Sequence, residues 1–376
     1  MTWTVPILAA LLLWLVILAL PWRPWRARES LDAAPDRDAP DLSDVTVLIP
    51  ARNEAAVIGA TLNALAAQGR GLKVMLVDDQ SGDGTADIAA AAGLENLTVL
   101  PGAPLPTGWT GKLWAQEQGW RLIDSRLTLL LDADIELAPG TLAALRRKVV
   151  EEGYGFVSLM AAPAMSTFWE RLLLPAYIYF FKLLYPFHLS NTQSRFVAAA
   201  AGGCVLLETA LLERIGGLAS IRGALIDDCA LARRARDAGD RTWIGLTHSA
   251  RMLRHQDLKD IWNMIARTAF TQLHYSVVWL ALCTLLLAAA FLAPAAGAFL
   301  TTGGARAMAA AACIGMMVTY LPILRYYGLS WLWAPLLPLT GLLYLAMTWT
   351  SALRYWRGHR SRWKGRIYTR LPESET

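Results

Sequence analysis

The sequence contains few cysteines, and their spacing excludes the usual cysteine-based sites. The four cysteines, at positions 204, 229, 283 and 313, form no C-x-x-C pair and have no histidine partner close in sequence. A zinc site or a disulfide framework is therefore not expected, and reduced thiols in a cytoplasmic domain fit the pattern. A G-x-G-x-x-G motif after a candidate strand is also missing, which argues against a dinucleotide-dependent oxidoreductase.

Charge is absent from long stretches at both ends of the 376-residue chain. Residues 4–20 contain no charged side chain and reach the length that spans a bilayer, and residues 277–347 contain only two arginines. Hydrophobic residues make up 55% of the chain and the mean hydropathy is +0.35, which is too apolar for an ordinary soluble enzyme. The first stretch lacks the features of a cleaved signal peptide, so we interpret it as an uncleaved anchor.

Basic residues follow both apolar ends. Arg23, Arg26 and Arg28 come directly after the anchor, so the positive-inside rule predicts a cytoplasmic main domain. A second basic group, interleaved with aromatic residues, lies near the end of the chain: Arg354, Arg357, Arg360, Arg362, Lys364, Arg366 and Arg370. Such a group is typical of nucleic-acid binding or of a collar on anionic lipid headgroups. Its position after an apolar segment favours the lipid collar, and no nucleic-acid partner is expected.

These features predict an ordered division of the chain. We expect an anchor over 1–21, a linker over 22–43, a soluble domain over 44–256, an interfacial helix over 257–276, two or three membrane segments over 277–350 and a basic tail over 351–376. The membrane segments fall near 277–301, 305–324 and 331–350. Three full crossings would put the basic tail outside, so either the third segment is re-entrant or the positive-inside rule is broken.

One segment inside the soluble domain is unusually apolar. Residues 166–189 are rich in aromatic side chains but also contain Glu170, Arg171, Lys182 and two prolines, so they would span a bilayer poorly. We expect an amphipathic helix that lies in the membrane interface beside the active site. A buried core segment is the alternative.

Short apolar runs alternate with helical patterns in the first half of the soluble domain. The runs predict strands over 45–49, 73–77, 97–100 and 127–131, and helical patterns follow over 54–68 and 83–92, with a later one over 228–238. Because each strand is apolar throughout, the pattern predicts an α/β fold whose mostly parallel sheet is covered on both faces. Ligands of such sheets bind at the carboxyl ends of the strands.

Polar residues that suit a nucleotide diphosphate follow the first two strands. The first is followed by Arg52, Asn53 and Glu54 before a helix, whose N-terminus would offer free N–H groups, although Asn53 also suits an ordinary N-cap. The second is followed by Asp78 and Asp79, whose carboxylates repel each other unless a cation or hydrogen-bond donors hold them. Ordinary turn and capping residues are the alternative for this loop.

Two further acidic motifs stand later in the chain. Asp132 and Asp134 follow the fourth strand, where carboxylates two residues apart can face one hard divalent cation that stabilises a leaving diphosphate. Asp227 and Asp228 begin a predicted helix, where they could cap the helix or provide a general base for an acceptor hydroxyl. Between them, Gly202-Gly203 would permit a close approach to a ligand, or form a tight turn.

The ordered motifs P-A-R-N-E, V-D-D-Q-S-G-D-G-T, D-A-D, G-G-C and D-D-C-A-L resemble those of family-2 glycosyltransferases with a GT-A fold. The resemblance covers about residues 45–255. The intervening T-G-W-T-G-K-L-W-A run and the apolar C-terminal region are similar to the hopene-associated subfamily. The resemblance implies a GT-A-type nucleotide-diphospho-sugar transferase domain, with a Rossmann-like mixed sheet, held by N- and C-terminal transmembrane helices.

The resemblance also implies a role for each matching residue. The nucleotide-sugar donor, expected to be a UDP-sugar, would meet Pro50, Ala51, Asn53, Glu54, Asp78, Asp79, Asp83, Asp132 and Ala133. Asp132 and Asp134 would hold Mg²⁺ or Mn²⁺, Gly202 and Gly203 would line the acceptor side, and Asp228, beside Asp227, would be the base of an inverting transfer. Lys112 is a candidate phosphate contact on the residues alone, with a solvated lysine as the alternative.

The sequence departs from the family pattern at two places. Asp227-Asp228 stands where Glu-Asp is usual, and the Q-x-x-R-W motif of processive synthases is incomplete. Arg267 matches that motif, whereas its leading glutamine and its tryptophan are missing. Processive polymer synthesis is therefore not expected, and Arg267, Gln272 and His274 are the candidates for the membrane-side wall of the site.

The resulting prediction is a non-processive glycosyltransferase of the bacterial inner membrane with a cytoplasmic catalytic domain and a lipid acceptor. A hopanoid or other polycyclic terpenoid and a polyprenyl phosphate both suit a site that faces the membrane interface. The alternatives are a polysaccharide-synthesising transferase and a non-catalytic membrane scaffold, while a nucleotidyltransferase would need a glycine-rich loop after the first strand. The sugar, the acceptor and the oligomeric state stay open.

Overall fold

A mixed eight-stranded sheet forms the centre of the soluble domain. The structure, a computed structural model, describes residues 3–33, 39–363 and 366–369, with side chains as far as residue 358. The strands of the sheet are β1 (Val45–Ala51), β2 (Lys73–Asp78), β3 (Leu97–Pro101), β4 (Leu127–Leu131), β5 (Ile135–Leu137), β6 (Phe156–Ala162), β7 (Cys204–Glu208) and β8 (Thr242–Met252). A separate hairpin near the C-terminus consists of β9 (His359–Trp363) and β10 (Arg366–Thr369).

The sheet has a parallel part and a mixed part. Its strand order is β3-β2-β1-β4-β7-β6-β8-β5. Neighbours among β1 to β4 run parallel, β7 is antiparallel to both β4 and β6, β6 and β8 are parallel, and β5 is antiparallel to β8. The predicted α/β class with a mixed sheet is confirmed, and the carboxyl ends of β1, β2 and β4 meet at one edge.

Helices cover both faces of the sheet and continue beyond it. They are α1 (Thr4–Ala19), α2 (Ile58–Ala66), α3 (Thr85–Ala90), α4 (Gly111–Trp120), α5 (Thr141–Val150), α6 (Phe168–Leu184), α7 (Phe187–Asn191), α8 (Thr209–Arg214), α9 (Asp227–Asp237), α10 (Leu258–Gln272), α11 (Val277–Leu287), α12 (Ala293–Leu300), α13 (Gly303–Tyr326) and α14 (Leu337–Trp356). Short 3₁₀ helices cover Leu218–Ile221 and Trp331–Leu336, and a π-helical turn covers Ala288–Leu292.

Alternate residues of the central strands enter two different cores. Val47 and Ile49 of β1 pack with Leu129 of β4 on one face of the sheet, whereas Leu48 and Leu130 pack on the other face. Successive side chains of a strand point to opposite faces, so a strand covered on both sides is apolar at every position. This burial explains the unbroken apolar runs in the sequence.

The first helix of the domain begins later than the sequence pattern indicates. We expected a helix from residue 54, but α2 begins at Ile58 and its N-cap is Val57, so the alternative role of Asn53 as N-cap is wrong. Asn53 has a φ of +52°, outside the extended conformation of an N-cap residue. The N–H groups of Asn53 and Ala55 donate to side chains of the loop after β2, and the Glu54 N–H donates to Thr85 Oγ1 at the start of α3.

Helix α6 lies between the sheet domain and the C-terminal helices. The Tyr179 hydroxyl lies 2.8 Å from Thr319 Oγ1 on α13, and the Tyr344 hydroxyl of α14 donates to the Leu173 carbonyl at 3.0 Å. The helix falls within the predicted 166–189 segment and is largely enclosed by protein. Its depth relative to a bilayer stays a prediction.

Three C-terminal helical segments are long and apolar enough to cross a membrane, namely Val277–Leu300, Gly303–Tyr326 and Trp331–Trp356. The predicted C-terminal membrane helices are therefore confirmed by length and composition. Helix α1 has 16 residues, which is shorter than the roughly 20 of a typical span. An N-terminal crossing accordingly stays a prediction.

The predicted linker over 22–43 runs along the domain where the structure describes it. Ser30 bridges to Leu246 of β8, and the Glu29 carboxylate lies 3.1 Å from the buried Lys182 ammonium of α6. Residues 34–38 of this linker, residues 1–2 of the anchor, and residues 364, 365 and 370–376 of the basic tail lie outside the described residues.

Candidate active site

Hydrogen bonds join the loops after β1 and β2 at the carboxyl edge of the sheet. The Asn53 N–H donates to Ser81 Oγ at 2.9 Å, and Asn53 Oδ1 accepts from the Gly82 N–H at 2.9 Å. The Ala55 N–H donates to Asp83 Oδ2 at 3.0 Å. Asn53 has a φ of +52°, a left-handed conformation that asparagine adopts more readily than most residues. Asn53 and Asp83 therefore shape the loops, and their contact with a donor stays a prediction.

The adjacent carboxylates of Asp78 and Asp79 are held by different partners. Asp78 Oδ2 accepts from the Ser81 N–H at 3.2 Å, while its Oδ1 is buried without a hydrogen-bond partner among the described residues. Arg52 donates to the Asp79 carbonyl, and its Nη1 lies 3.8 Å from Asp79 Oδ2. The Ser81 N–H beside Asp78 and the Arg52 guanidinium beside Asp79 thus reduce the repulsion between the two carboxylates. The buried Asp78 Oδ1 is an acceptor that a hydroxyl or base N–H of a nucleoside would satisfy.

Three predicted donor contacts are buried small or apolar residues. Pro50 and Ala51 end β1, and the pairing of β1 with β4 stops at Leu48, so Pro50 interrupts no ladder hydrogen bond on that side. The Ala133 carbonyl accepts from Thr61 Oγ1 at 2.8 Å, and its side chain is buried. The side chains of these three residues are therefore buried at the carboxyl edge of the sheet and do not project from it.

Lys112 is paired with the first carboxylate after β4. Its Nζ lies 2.6 Å from Asp132 Oδ1, with the lysine in the first turn of α4. Burial disfavours the charged form of Lys112, but the carboxylates of Asp132, Asp227 and Asp228 outweigh this effect and raise the pKa of Lys112. The lysine therefore stays positively charged in the cleft.

Arg254, which no sequence motif marked, is paired with the other carboxylate after β4. Its Nε lies 3.7 Å from Asp134 Oδ2, and it also forms an ion pair with the buried Glu54. Arg254 Nη2 donates to the Asn53 carbonyl at 3.3 Å. The arginine thus connects the loop after β1 with the loop after β4, although it lies 200 residues after Glu54 in the sequence.

The acidic residues after β4 fit a divalent cation only as part of a larger ligand set. Among the described residues, no group of three or more histidine, cysteine or carboxylate side chains could hold a metal ion. Asp132 and Asp134 supply two carboxylates, and Mg²⁺ or Mn²⁺ sites of this kind are completed by substrate phosphates and water. The donor set therefore fits a metal that arrives with a nucleotide diphosphate.

Gly202 connects the acceptor side to this cluster. Its N–H donates to Asp228 Oδ2 at 3.0 Å, and its carbonyl accepts from Lys112 Nζ at 3.1 Å. A Cβ at Gly202 would lie 3.3 Å from the Asp228 Cβ and 3.4 Å from Lys112 Nζ. At Gly203, which accepts from the Asp132 N–H at 3.0 Å, an added Cβ would make only ordinary contacts. A side chain at position 202 would therefore press on Asp228 and Lys112.

The Asp228 carboxylate is oriented by backbone donors and partly buried. Its Oδ1 accepts from the Cys229 N–H at 2.7 Å, opposite the Gly202 bond to Oδ2. Burial and the neighbouring Asp227 raise the pKa of Asp228 to about 6, although Lys112 opposes the shift. Helix α9 begins at Asp227, and the Asp228 carboxylate binds a first-turn N–H of this helix, so the role at the helix N-terminus and the role as a base both stay predictions.

The membrane-side wall is built from α6 and α10. The Tyr185 hydroxyl donates to Gln272 Oε1 at 2.9 Å, and Arg267 Nε is buried without a hydrogen-bond partner in the described part of the chain. Burial and the charge of Asp228 raise the pKa of Tyr177, and Arg267 opposes this effect. Tyr177 and Tyr185 therefore lie near Asp228, the candidate base, and neither was predicted from the sequence.

The regular spacing of aromatic residues in this part of the sequence could have indicated these tyrosines. Tyr177 and Phe181 of α6 and Tyr185 at its C-cap are spaced four residues apart, with ring centroids 6.3 Å and 5.1 Å apart. Residues spaced in this way share one face of a helix. His274, the third candidate for the wall, is exposed and has a φ of +52°.

The structure therefore joins residues predicted for the donor to residues predicted for the acceptor side through Lys112, while their roles stay predictions. Lys112 pairs with Asp132 and also binds the loop that holds Asp228. Residues 40–270, which include the sheet, α6 and α10, match the family model described as "Glycosyltransferase like family 2". The chain belongs to this family. It is a family-2 glycosyltransferase, and the match extends over more than half of the chain.

Relatives of this family-2 glycosyltransferase include two curated enzymes. The chain is 33% identical over 101 residues to a 4,4'-diaponeurosporenoate glycosyltransferase of Staphylococcus haemolyticus (strain JCSC1435), covering 27% of each chain. It is 29% identical over 134 residues to an undecaprenyl-phosphate 4-deoxy-4-formamido-L-arabinose transferase of Serratia proteamaculans (strain 568), covering 35% of this chain and 40% of the relative. The matched segments thus span less than half of either relative.

The fold of the family-2 glycosyltransferase is similar to that of a solved mannosyltransferase from Pyrobaculum calidifontis. That structure, in complex with GDP-Man and Mn²⁺, superposes with a TM-score of 0.55 at 20% identity and covers 94% of this chain and 97% of its own. This likeness confirms the GT-A fold predicted from the sequence motifs.

Proposed function

We propose that this family-2 glycosyltransferase moves a sugar from a nucleotide diphosphate donor to a lipid acceptor, with inversion at the anomeric carbon and with a divalent cation. The observation that carries the proposal is the contact of Lys112 with both Asp132 and the Gly202 loop. This contact supports the proposal because it joins Asp132, one candidate metal ligand, to the loop that binds Asp228, the candidate base.

The donor half is suited to a nucleoside diphosphate. The loops after β1 and β2, which hydrogen bonds join, leave the buried Asp78 Oδ1 as an acceptor for the nucleoside. Lys112 adds a cation for the diphosphate. A uridine diphosphate sugar is the donor we expect, on the resemblance of the motifs.

The charge of the cleft supports a requirement for a divalent cation. Among the described residues of the site, the five carboxylates of Glu54, Asp132, Asp134, Asp227 and Asp228 outnumber the cations Lys112, Arg254 and Arg267. An anionic diphosphate would be repelled by this excess of negative charge. A divalent cation bound by Asp132, Asp134 and the diphosphate would supply positive charge for the leaving nucleoside diphosphate.

Asp228 is the proposed general base. The acceptor oxygen attacks the anomeric carbon, the bond from that carbon to the diphosphate oxygen breaks, and the acceptor proton passes to Asp228. A single displacement of this kind inverts the anomeric centre. The backbone donors from Gly202 and Cys229 fix the carboxylate for that step.

A membrane lipid is the acceptor that best suits the position of the site. The wall formed by Tyr177, Tyr185, Arg267 and Gln272 joins the cleft to helices that pack against the candidate spans. The names of the two curated relatives contain diaponeurosporenoate and undecaprenyl phosphate. A hopanoid or related terpenoid and a polyprenyl phosphate are the acceptors we propose to compare.

A donor screen tests the donor and metal parts of this proposal. Purified protein in nanodiscs is heated with Mn²⁺ and with UDP-glucose, UDP-GlcNAc, UDP-galactose or GDP-mannose. We expect one UDP-sugar to raise the melting temperature most, only with Mn²⁺, and its transferred sugar to show the inverted configuration by NMR. Equal stabilisation without Mn²⁺ would contradict the metal requirement. A retained configuration at the anomeric carbon would contradict inversion.

Aromatic contacts flank the third candidate span, Trp331–Trp356, on the side of β8 and on the side of the junction between α10 and α11. Tyr326, just before this span, stacks on His248 of β8 with ring centroids 4.2 Å apart. Tyr355, in its last turn, stacks on Tyr275 between α10 and α11 at 4.4 Å. We infer that this segment is re-entrant and that the basic tail lies on the cytoplasmic side, which satisfies the positive-inside rule.

Reporter fusions in a bacterial inner membrane test this topology. A green fluorescent protein fused after the last residue should fluoresce, and alkaline phosphatase fused at the same place should be inactive. Alkaline phosphatase inserted between α12 and α13 should be active as the matched control. An active phosphatase at the C-terminus would show that the third segment crosses.

A further inference from the structure

The two carboxylates proposed to hold a metal are each paired with a cation of the chain, but the two cations are held very differently. Arg254 is fixed by Glu54, by the Asn53 carbonyl and by Asp134. Lys112 has one carboxylate in hydrogen-bond contact, Asp132, and one carbonyl besides. The lysine is therefore the cation that can leave its carboxylate at the lower cost.

Lys112 and a metal ion would compete for the same oxygen. Lys112 Nζ lies 2.6 Å from Asp132 Oδ1. A divalent cation on the same carboxylate would place a second positive charge near the ammonium, and the two like charges repel. Binding of the metal therefore favours movement of the ammonium to another anion.

Lysine is suited to such a move. It carries a compact charge on a flexible stem, and the Lys112 side chain is 20% exposed, so it faces the cleft rather than the core. A nucleotide diphosphate supplies the anion that would receive it. The Gly202 carbonyl, 3.1 Å from Nζ, would keep the stem near the acceptor loop during the move.

We propose that Lys112 is an exchangeable cation that holds Asp132 until the metal and the donor bind together, and that it then passes from Asp132 to the donor diphosphate. This inference rests on the proposed function. It makes metal binding and nucleotide binding strongly dependent on each other. By thermodynamic reciprocity, each ligand must raise the affinity for the other by the same factor.

Mn²⁺ titrations of the full-length protein in nanodiscs test the proposal, with free Mn²⁺ read by electron paramagnetic resonance. UDP should tighten Mn²⁺ binding by about tenfold or more in the unsubstituted protein, a coupling of ordinary allosteric size. Lys112→Met should bind Mn²⁺ without UDP about tenfold more tightly than the unsubstituted protein, because Asp132 is released. It should bind UDP more weakly at saturating Mn²⁺.

Three variants make the test specific. Lys148→Met removes a lysine of α5 that pairs with Glu152, and it should leave Mn²⁺ binding unchanged. Lys112→Arg keeps the charge and should retain the original pattern. Lys112→Gln provides a polar substitute if the methionine variant melts at a lower temperature.

The outcomes separate this inference from the proposed function. Unchanged or weaker Mn²⁺ binding by Lys112→Met and Lys112→Gln without UDP would overturn the exchange. The expected binding pattern without any sugar transfer would support the exchange and contradict the proposed reaction. A lack of Mn²⁺ binding in every variant, even with UDP, would contradict both.

Discussion

Asp228 has the surroundings that a general base requires. Two backbone N–H groups orient its oxygens, while burial and the adjacent Asp227 raise the pKa of Asp228 to about 6. A carboxylate with a pKa just below the working pH is mostly ionised and still accepts a proton readily. Glu54, by contrast, is engaged by Arg254 and lies at the other end of the cleft.

The pH dependence of transfer should report this carboxylate. Because Asp228 must be ionised to accept the proton, kcat/KM should rise with pH and level off above about 6. Initial rates between about pH 5 and 8, at saturating Mn²⁺, provide the measurement. A rate that stays constant down to the acid end of this range would contradict the assignment of Asp228 as the base.

A methyl group at Gly202 should disturb the site more than one at Gly203. Gly202→Ala would press a Cβ to 3.3 Å from the Asp228 Cβ and 3.4 Å from Lys112 Nζ, whereas the Gly203→Ala Cβ would find its nearest atom, in Ile135, at 3.5 Å. We expect kcat to fall about tenfold or more for Gly202→Ala, since small displacements of catalytic groups are costly. Equal kinetics of the two variants would contradict the tight packing.

Residues in local motifs were predictable, and residues brought in by the fold were not. Asp132 and Asp228 stand directly after a strand and at the start of a helix, and the structure brings them to one cluster. Arg254 and Tyr177 reach the cleft from distant parts of the chain and carry no motif of their own. Their roles follow from tertiary pairing, which no short stretch of sequence encodes.

At the scale of elements, Glu170 links α6 to the segment before α10. Its Oε2 caps the first turn of α6 through Ser166 and Thr167, and its Oε1 accepts from the Gln256 N–H at 2.9 Å. Burial opposes ionisation, but these donors outweigh it and lower the pKa of Glu170 to about 2. The carboxylate thus holds the two helices that form the membrane-side wall.

Glu170→Gln should destabilise the protein by about 1.5–3 kcal/mol, the usual contribution of hydrogen bonds to a buried charge. Because the folded-state pKa is lowered, the stabilisation is present above the unfolded pKa of 4.5 and is lost as the pH falls toward about 2. Thermal unfolding at pH 7 and at lower pH measures both effects. Glu152→Gln, in an exposed pair with Lys148, is the control with little expected loss.

The elements themselves were predictable to different degrees. The four strands predicted from apolar runs are confirmed. Strands β1 and β4 are buried at every position, and burial on both faces leaves a local trace in sequence, whereas the edge strand β3 is only partly buried. The later strands were not predicted. Strand β7, for example, pairs Glu208 with Leu127 across 81 residues, and such pairing depends on the whole fold.

At the scale of the whole molecule, the site lies where the sheet domain meets the helices that lead to the candidate spans. Asp228 and Lys112 belong to the sheet domain, and Tyr185 lies at the C-terminal end of α6. Its partner Gln272 belongs to α10, which precedes the first candidate span. A lipid could therefore present its polar end to Asp228 while its apolar body stays among the helices. This arrangement is the structural basis of the proposed lipid acceptor.

Transfer of label from a UDP-sugar into lipid tests the central claim most directly. Purified protein in nanodiscs is incubated with labelled UDP-sugars, Mn²⁺ and either a hopanoid or a polyprenyl phosphate, and the organic phase is counted. We predict labelled lipid for the unsubstituted protein and for Asp237→Asn, an exposed control on the same helix as Asp228. Asp228→Asn should lower the rate by about 10²–10⁴-fold, the usual contribution of a general base. Label that appears only in polymer, or undiminished transfer by Asp228→Asn, would contradict the account.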